Sequence, residues 1–400
     1  MKLVRDRLLH PKMKEVLDTV RRSGPISKQE LLSVSKMTSS TLTRLLEDAL
    51  SLRILAEVGL GESTGGRRPI LYKVNPQYAY AFGLDISRTR CKLVLVDLAH
   101  QVLDAKDWPM TNAVTPDSLL RLAADAADSM LLKHELRKEA VLGMGVGAVG
   151  PLDRIAGVIQ EPLYFPGTGW HQVEVRRMLE EMLGIPVWLD NGANTAMMAE
   201  YWRDKDNPGS LLYVMVGIGL RSAMMTNGRL VYGAVDMEGA LGQMIIQADG
   251  VAHRMPGGNY GALESYVSIY ALEKTARALA KKEIPGIPPD WLRRPEGITL
   301  ADINLANANG YPAVTAMLEE AASYLGIGLA NMLNVLHPDK VYLGGTLVAA
   351  FPTFFEKAVA VARSRTMYHS RYPVVFSMGH LGESAAAIGA AIMVINQLVE

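Results

Sequence analysis

The sequence predicts a two-part α/β protein: an N-terminal winged helix-turn-helix followed by a larger α/β body with two lobes. Three observations carry this. Residues 1–78 hold 14 Lys plus Arg against 8 Asp plus Glu, whereas the rest of the chain holds 27 against 33, so a basic front module precedes an acidic body. In the front module, short helices with capping residues follow one another closely and lead into a glycine-tipped hairpin. Beyond it strands come first and then alternate with helices, twice, with long helical insertions in the second half.

Composition fits. The 400 residues are 49% hydrophobic and 20% charged, a balance that builds large cores. No apolar run reaches membrane-spanning length, and the opening MKLVRDRLLH lacks the apolar block of a signal peptide, so a cytoplasmic protein is expected. Cys91 is the single cysteine, which excludes a disulfide framework and leaves no cysteine cage for zinc.

In the front module, Met13 to Arg22 sets Val16, Leu17 and Val20 at helical spacing, and Gly24-Pro25 ends that helix. Ser27, with Glu30 three residues on, forms a capping box for a second helix that buries Leu31 and Leu32. Lys36-Met37 makes a turn and Thr38 caps a third helix with Leu42, Leu45, Leu46 and Leu50 inward. Ser39, Ser40, Thr41, Thr43 and Arg44 then lie on its exposed early turns, where small hydroxyls approach phosphates and base edges and an arginine reaches a phosphate or a guanine. The stretch ILAEVGLGESTGGRRPILYKV reads as two strands around a polar tip, a wing carrying Arg67 and Arg68 toward the minor groove or backbone. The competing reading is a three-helix packing module with a surface hairpin.

The body opens with three strands, AFGLDIS, CKLVLVDL and QVLDAKDW, and an amphipathic helix from Pro116 to Lys138. AVLGMGVGAVGP is a buried strand and turn, residues 171–184 a helix, IPVWLDN a strand and Ala193 to Trp202 a helix. LLYVMVGIG and SAMMTNGRLVYG form a hairpin about Asn227-Gly228, then helices are expected over 262–282, 300–308 and 313–336. The strand KVYLGG, a helix from about 352, the segment VVFSMG and a helix from Ser384 to the end complete the chain. Domains are therefore placed at 1–78, 79–192 with 384–400 packing back, and 193–383.

ISKQELLSVSKMTSSTLTRLLEDAL, GGRRPILYKVNPQYAYAFGLDIS, GMGVGAVGPLD, PVWLDNGANTAMMAE, VYLGG and GESAAAIGAAI together resemble landmarks of the ROK family, nearly end to end. That family contains sugar kinases and sugar-responsive repressors. The resemblance implies a two-lobed actin-like, ribonuclease-H-like body of the ATPase type.

Against the family pattern several chemical groups are missing. The first phosphate loop, rich in glycine in kinases, is Asp85-Ile86-Ser87-Arg88-Thr89, and the second is Gly217-Ile218-Gly219-Leu220-Arg221-Ser222-Ala223. Gly192 occupies the position of the family's catalytic aspartate and cannot accept a proton, so no catalytic residue is expected. In Gly239–Glu264, Gln243 replaces the zinc histidine, Met255, Gly257 and Ala262 replace the three cysteines, and Ala240 replaces a sugar-binding glutamate. No structural zinc, no metal and no other cofactor are expected, and His253 is read as an exposed loop residue. Asn191, Asn194 and Glu264 match positions that hold sugar hydroxyls, which implies an effector pocket in the inter-lobe cleft. The competing reading has Asn194 capping the 194–202 helix and Glu264 favouring the start of its own helix.

Trp170 and His171 either line that cleft or anchor a lid, and Met197, Met198, Met224 and Met225 read as core. The expected protein is a homodimeric or larger repressor of carbohydrate-related genes, binding a double-stranded DNA operator under control of a sugar or sugar derivative, away from membranes. A regulator whose body is only a scaffold, and a sugar kinase that kept a DNA-binding head, are the rival readings.

Overall fold

A computed structural model of the chain describes residues 10–62, 68–204, 206, 208–234, 240–255 and 257–399. Two units emerge from the packing: residues 1–202 with 384–400, and residues 203–383.

Unit 1 begins with the head. Helix α1 (Pro11–Ser23) is capped by His10 and buries Met13, Val16, Leu17 and Val20. After the short strand β1 (Ile26–Ser27), α2 (Lys28–Val34) starts with the capping box of Ser27 and Glu30. The Ser27 hydroxyl donates to Glu30 and, with the Ser27 backbone, holds that carboxyl below its ordinary pKa. Helix α3 (Ser39–Ser51) is capped by Thr38 and buries Leu42, Leu45, Leu46 and Ala49; Leu50, expected inside, is half-buried. Strands β2 (Leu55–Leu60) and β3 (Ile70–Val74) form the wing, and β1 adds to β3 in an antiparallel sheet.

The body part of unit 1 is a five-stranded sheet. Strands β4 (Tyr80–Ile86), β5 (Arg90–Asp97) and β6 (Val102–Pro109) make an antiparallel meander. Beside β4 run β7 (Val141–Ala148) and then β10 (Val187–Asn191), both parallel, after a small hairpin of β8 (Leu152–Asp153) and β9 (Val158–Ile159). Helices α4 (Pro116–Lys133) and α5 (Val175–Leu183) share a core with Phe82, Leu84, Met144 and Val146. α5 is shorter than the expected 171–184, because Val173 bridges Ile159 in extended backbone.

The opposite face of β4 and β7 receives the terminal helix α12 (Ala385–Asn396). A Cβ on Gly145 would lie 1.9 Å from the carbonyl oxygen of Ala390, so strand and helix backbones are in direct contact there. Helix α6 (Gly192–Arg203) packs on α12 in turn and is buried from Ala193 to Tyr201. This burial moves the unit boundary from the expected 192/193 to 202/203.

Unit 2 repeats the sheet plan. β11 (Ser210–Val216), β12 (Leu220–Thr226) and β13 (Arg229–Leu230) are an antiparallel meander, and β14 (Lys340–Gly344) and β15 (Val375–Ser377) continue parallel from β11. Its helices are α7 (Ile269–Lys281), α8 (Leu300–Ala308), α9 (Pro312–Leu336), α10 (Thr346–Ala350) and α11 (Pro352–Arg365). α7 starts at Ile269, later than expected, since residues 263–265 form a separate turn and the Ser268 hydroxyl caps the helix by accepting from Ala271 N–H. Asp204 is buried at the edge of this unit, 2.8 Å from Lys340 Nζ, and accepts the Tyr342 hydroxyl at 2.5 Å. Among the described residues no helix is long and apolar enough to cross a membrane.

Candidate functional site

In the head, the first turn of α3 is presented to solvent: Ser39, Ser40 and Arg44 are exposed, and Thr41 is half-exposed with its hydroxyl 2.9 Å from that of Thr38. Thr43 is different. Its hydroxyl donates to Ser39 O and accepts from Lys28 Nζ at 2.6 Å, so it ties α3 to α2. Arg68 lies two residues before the return strand of the wing and is exposed, while Arg67 lies outside the described residues.

The last turn of α1 carries Arg21 and Arg22 onto the body part of unit 1. Arg22 donates to the Tyr201 hydroxyl at 2.5 Å and is oriented by Asp18 at 2.9 Å. Arg21 donates to Asn396 Oδ1 at 2.8 Å and lies 3.3 Å from His100 Nε2. Both guanidinium carbons sit 4.4 Å from the ring centroid of Trp202, which His100 meets edge-on. Burial, reinforced by the two guanidiniums, takes His100 down to about 3, so it is a neutral acceptor for Arg21. Nothing in the sequence paired these positions in advance.

At the other end of α6 is its direct junction with β10, residues 190–194. Asp190 Oδ1 accepts from Asn191 N–H and from the Asn194 amide at 2.9 Å, and Asn191 Oδ1 accepts from Ala193 N–H. Asn191, not Asn194, therefore does the capping, and the carboxylate of Asp190 is turned to holding the junction. A Cβ on Gly192 would stand 3.8 Å from Ala148 O and 3.9 Å from Asp85 Oδ1, so a side chain fits but none is there to act as a base. The β4–β5 turn closes on itself: Ser87 N–H donates to Arg90 O, and Arg88 Nε donates to Leu163 O at 2.7 Å.

In unit 2, Glu264 is the hub of a buried polar cluster. Its Oε2 accepts Leu220 N–H at 2.9 Å, and its Oε1 lies 3.3 Å from Arg254 and 3.5 Å from His253. His253, expected in solvent, has a side chain only 3% exposed, because it sits between Glu264 and Gln243, whose amide is 3.3 Å away. Trp170, in unit 1, is buried against Phe165 and donates to Val114 O, which makes it an anchor.

A sequence profile described as the ROK family matches residues 81–397. The chain belongs to the ROK family. The xylose repressor of Caldicellulosiruptor bescii is 27% identical over 386 residues, covering 96% of this chain and 95% of that protein. Among solved structures, a ROK family transcriptional regulator homologous to the Escherichia coli MLC protein superposes with a TM-score of 0.77 at 20% identity, over 97% of this chain and 96% of that one. A ROK hexokinase from Thermus thermophilus gives 0.64 at 27% identity and covers 97% of its own length but 78% of this chain. The body thus has the actin-like sugar-kinase fold of ROK regulators and kinases.

Zinc is implied for the ROK loop at 239–264 by the family pattern, and the side chains present do not fit it. Gln243 is engaged with His253, Ala262 is fully buried and carries no donor, and Gly257 has no side chain. The hydrogen bonds and ion pair around Glu264 occupy the same loop.

Proposed function

We propose that this protein is a DNA-binding transcriptional regulator, a repressor of carbohydrate-related genes whose operator affinity answers to a sugar-like effector. The observation that carries the DNA reading is the head itself: α3 exposes Ser39, Ser40 and Arg44 from a capped first turn, with a wing beside it. Relatives aligned over the whole chain are named as xylose repressors, which supports the carbohydrate part. An operator-binding protein of this kind works in the cytoplasm, and a two-fold operator calls for at least a dimer. Selection from random duplex DNA tests it, followed by titration of the selected sequence at several salt concentrations. Arg44→Ala is expected to weaken operator binding about tenfold, as loss of one good contact does. Equal affinity for wild type and variant would remove Arg44 from the interface.

For the body, the reading is ligand sensing without phosphoryl transfer. Gly192 offers no base, and a carboxylate from Glu264 already covers the Leu220 N–H of the second phosphate loop, where an anion would be repelled. The ROK loop at 239–264 works without zinc in this reading. Candidate hydroxyl partners are Asn191 and Asn194 in unit 1 and Glu264 in unit 2. A screen of pentoses and hexoses with ATP is expected to raise the melting temperature for one sugar in proportion to the logarithm of its concentration, with ATP consumption at background. Turnover above background would favour the kinase reading, and a flat screen would favour a body that is only a scaffold.

A further inference from the structure

α6 has candidate ligand residues at its first turn and the contacts to the DNA-binding head at its last. From Asn194 to Trp202 is about 12 Å along the axis. The helix is buried from Ala193 to Tyr201 and has neither proline nor glycine after Gly192, so nothing in it supplies a kink. At its far end α1 meets the Tyr201 hydroxyl, the Trp202 ring, the His100 ring and the Asn396 amide. Arg22 is also paired with Asp18 of α1 itself. Two cations sharing one indole, with three neutral acceptors around them, make an attachment that is specific in geometry. α1 in turn packs against α3, whose first turn is the DNA-reading surface.

We propose that Tyr201 and Trp202 are positioning residues for the DNA-binding head. Through Arg22 and Arg21 they fix α1, and with it α3, to the same rigid helix that begins at the junction 190–194. A change in how that junction is held displaces α6 along or about its axis, and the head follows. This rests on the DNA-binding reading above and adds the route by which the body acts on it.

The test is a double-mutant cycle in the full-length protein, read as affinity for the selected duplex, with hydrogen exchange of residues 11–23 alongside. Asn194→Ala in the wild-type background is expected to change operator affinity at least threefold. In a Tyr201→Phe or Trp202→Leu background the same substitution is expected to change it less than 1.5-fold. Exchange in α1 should rise in both backgrounds while that of α6 stays as in wild type. Trp202→Phe, which keeps an aromatic face for the guanidiniums, is expected to restore the response to Asn194→Ala. An equal effect of Asn194→Ala in all backgrounds, or none in wild type, overturns the proposal and leaves DNA binding standing. A wild-type protein that selects no sequence overturns the DNA-binding reading, and the positioning role falls with it.

Discussion

Gly389→Ala is expected to destabilise unit 1 by about 3 kcal/mol, more than a surface substitution of any kind. Gly389 lies on α12 where it crosses α6, and a Cβ there would stand 1.6 Å from the carbonyl oxygen of Thr195 and 2.5 Å from its carbon. Both obstacles are backbone, so no rotamer change relieves them. α12 cannot retreat either, because Ala390 O is already against Gly145 on β7. The helix must tilt, and the buried faces of α6 and α12 separate. Urea unfolding followed by circular dichroism should show a lower midpoint for the first transition. Gly297→Ala is the control: the nearest atom to its added Cβ is the end of the Arg294 side chain at 4.0 Å. That variant should stay within about 0.5 kcal/mol of wild type.

The second large effect is expected at Asp204. Its carboxylate is 3% exposed and is held by Lys340, Tyr342 and the Asp206 N–H. Asp204→Ala leaves the Lys340 ammonium, 12% exposed, short of its main counter-charge, and breaking a buried pair in this way costs about 3–5 kcal/mol. Burial alone would raise the Asp204 pKa, but the hydrogen bonds from Lys340, Tyr342 and Asp206 together outweigh it and the net shift is downward. A carboxyl depressed in the folded state gives stability that is complete above its unfolded value, near ~3.9, and is lost as pH falls through the folded value. Asp204→Asn should therefore be less stable than wild type at neutral pH and should lack this part of the acid decline. Parallel pH profiles of the two proteins below pH 4 would contradict the assignment.

What was legible in the sequence was local. The capping box at Ser27 and Glu30 and the cap at Thr38 can be read because the partners are three residues apart. The succession of strands and then helices along the body was legible too, and the resemblance to ROK landmarks supplied the fold; the order of strands within each sheet came from the structure. The contact of Thr43 with Lys28, fifteen positions away, is beyond any local spacing rule. His253 is buried and not in solvent because Gln243 and Glu264, on either side in sequence, close over it. The repeated sheet plan of the two units is invisible to a search for periodicity, since it conserves connections and not residues. Arg21 and Arg22 close the last turn of α1 and carried no reading of their own in the sequence. Their hydrogen-bond partners on the body lie 79 to 375 positions away, where no spacing rule reaches.

The single cysteine also has an experimental consequence. Cys91 lies on β5 in the core of unit 1, and burial pushes its thiol well above the ordinary range. The thiolate is the nucleophile that attacks maleimides and thiol-reactive spin labels, so the native chain is expected to give almost no background labelling. A cysteine introduced at an exposed head position such as Lys36, paired with one on the body at Leu132, would take both probes alone. Distances between fluorophores or spin labels could then be followed as duplex and sugars are added, with the native cysteine left in place.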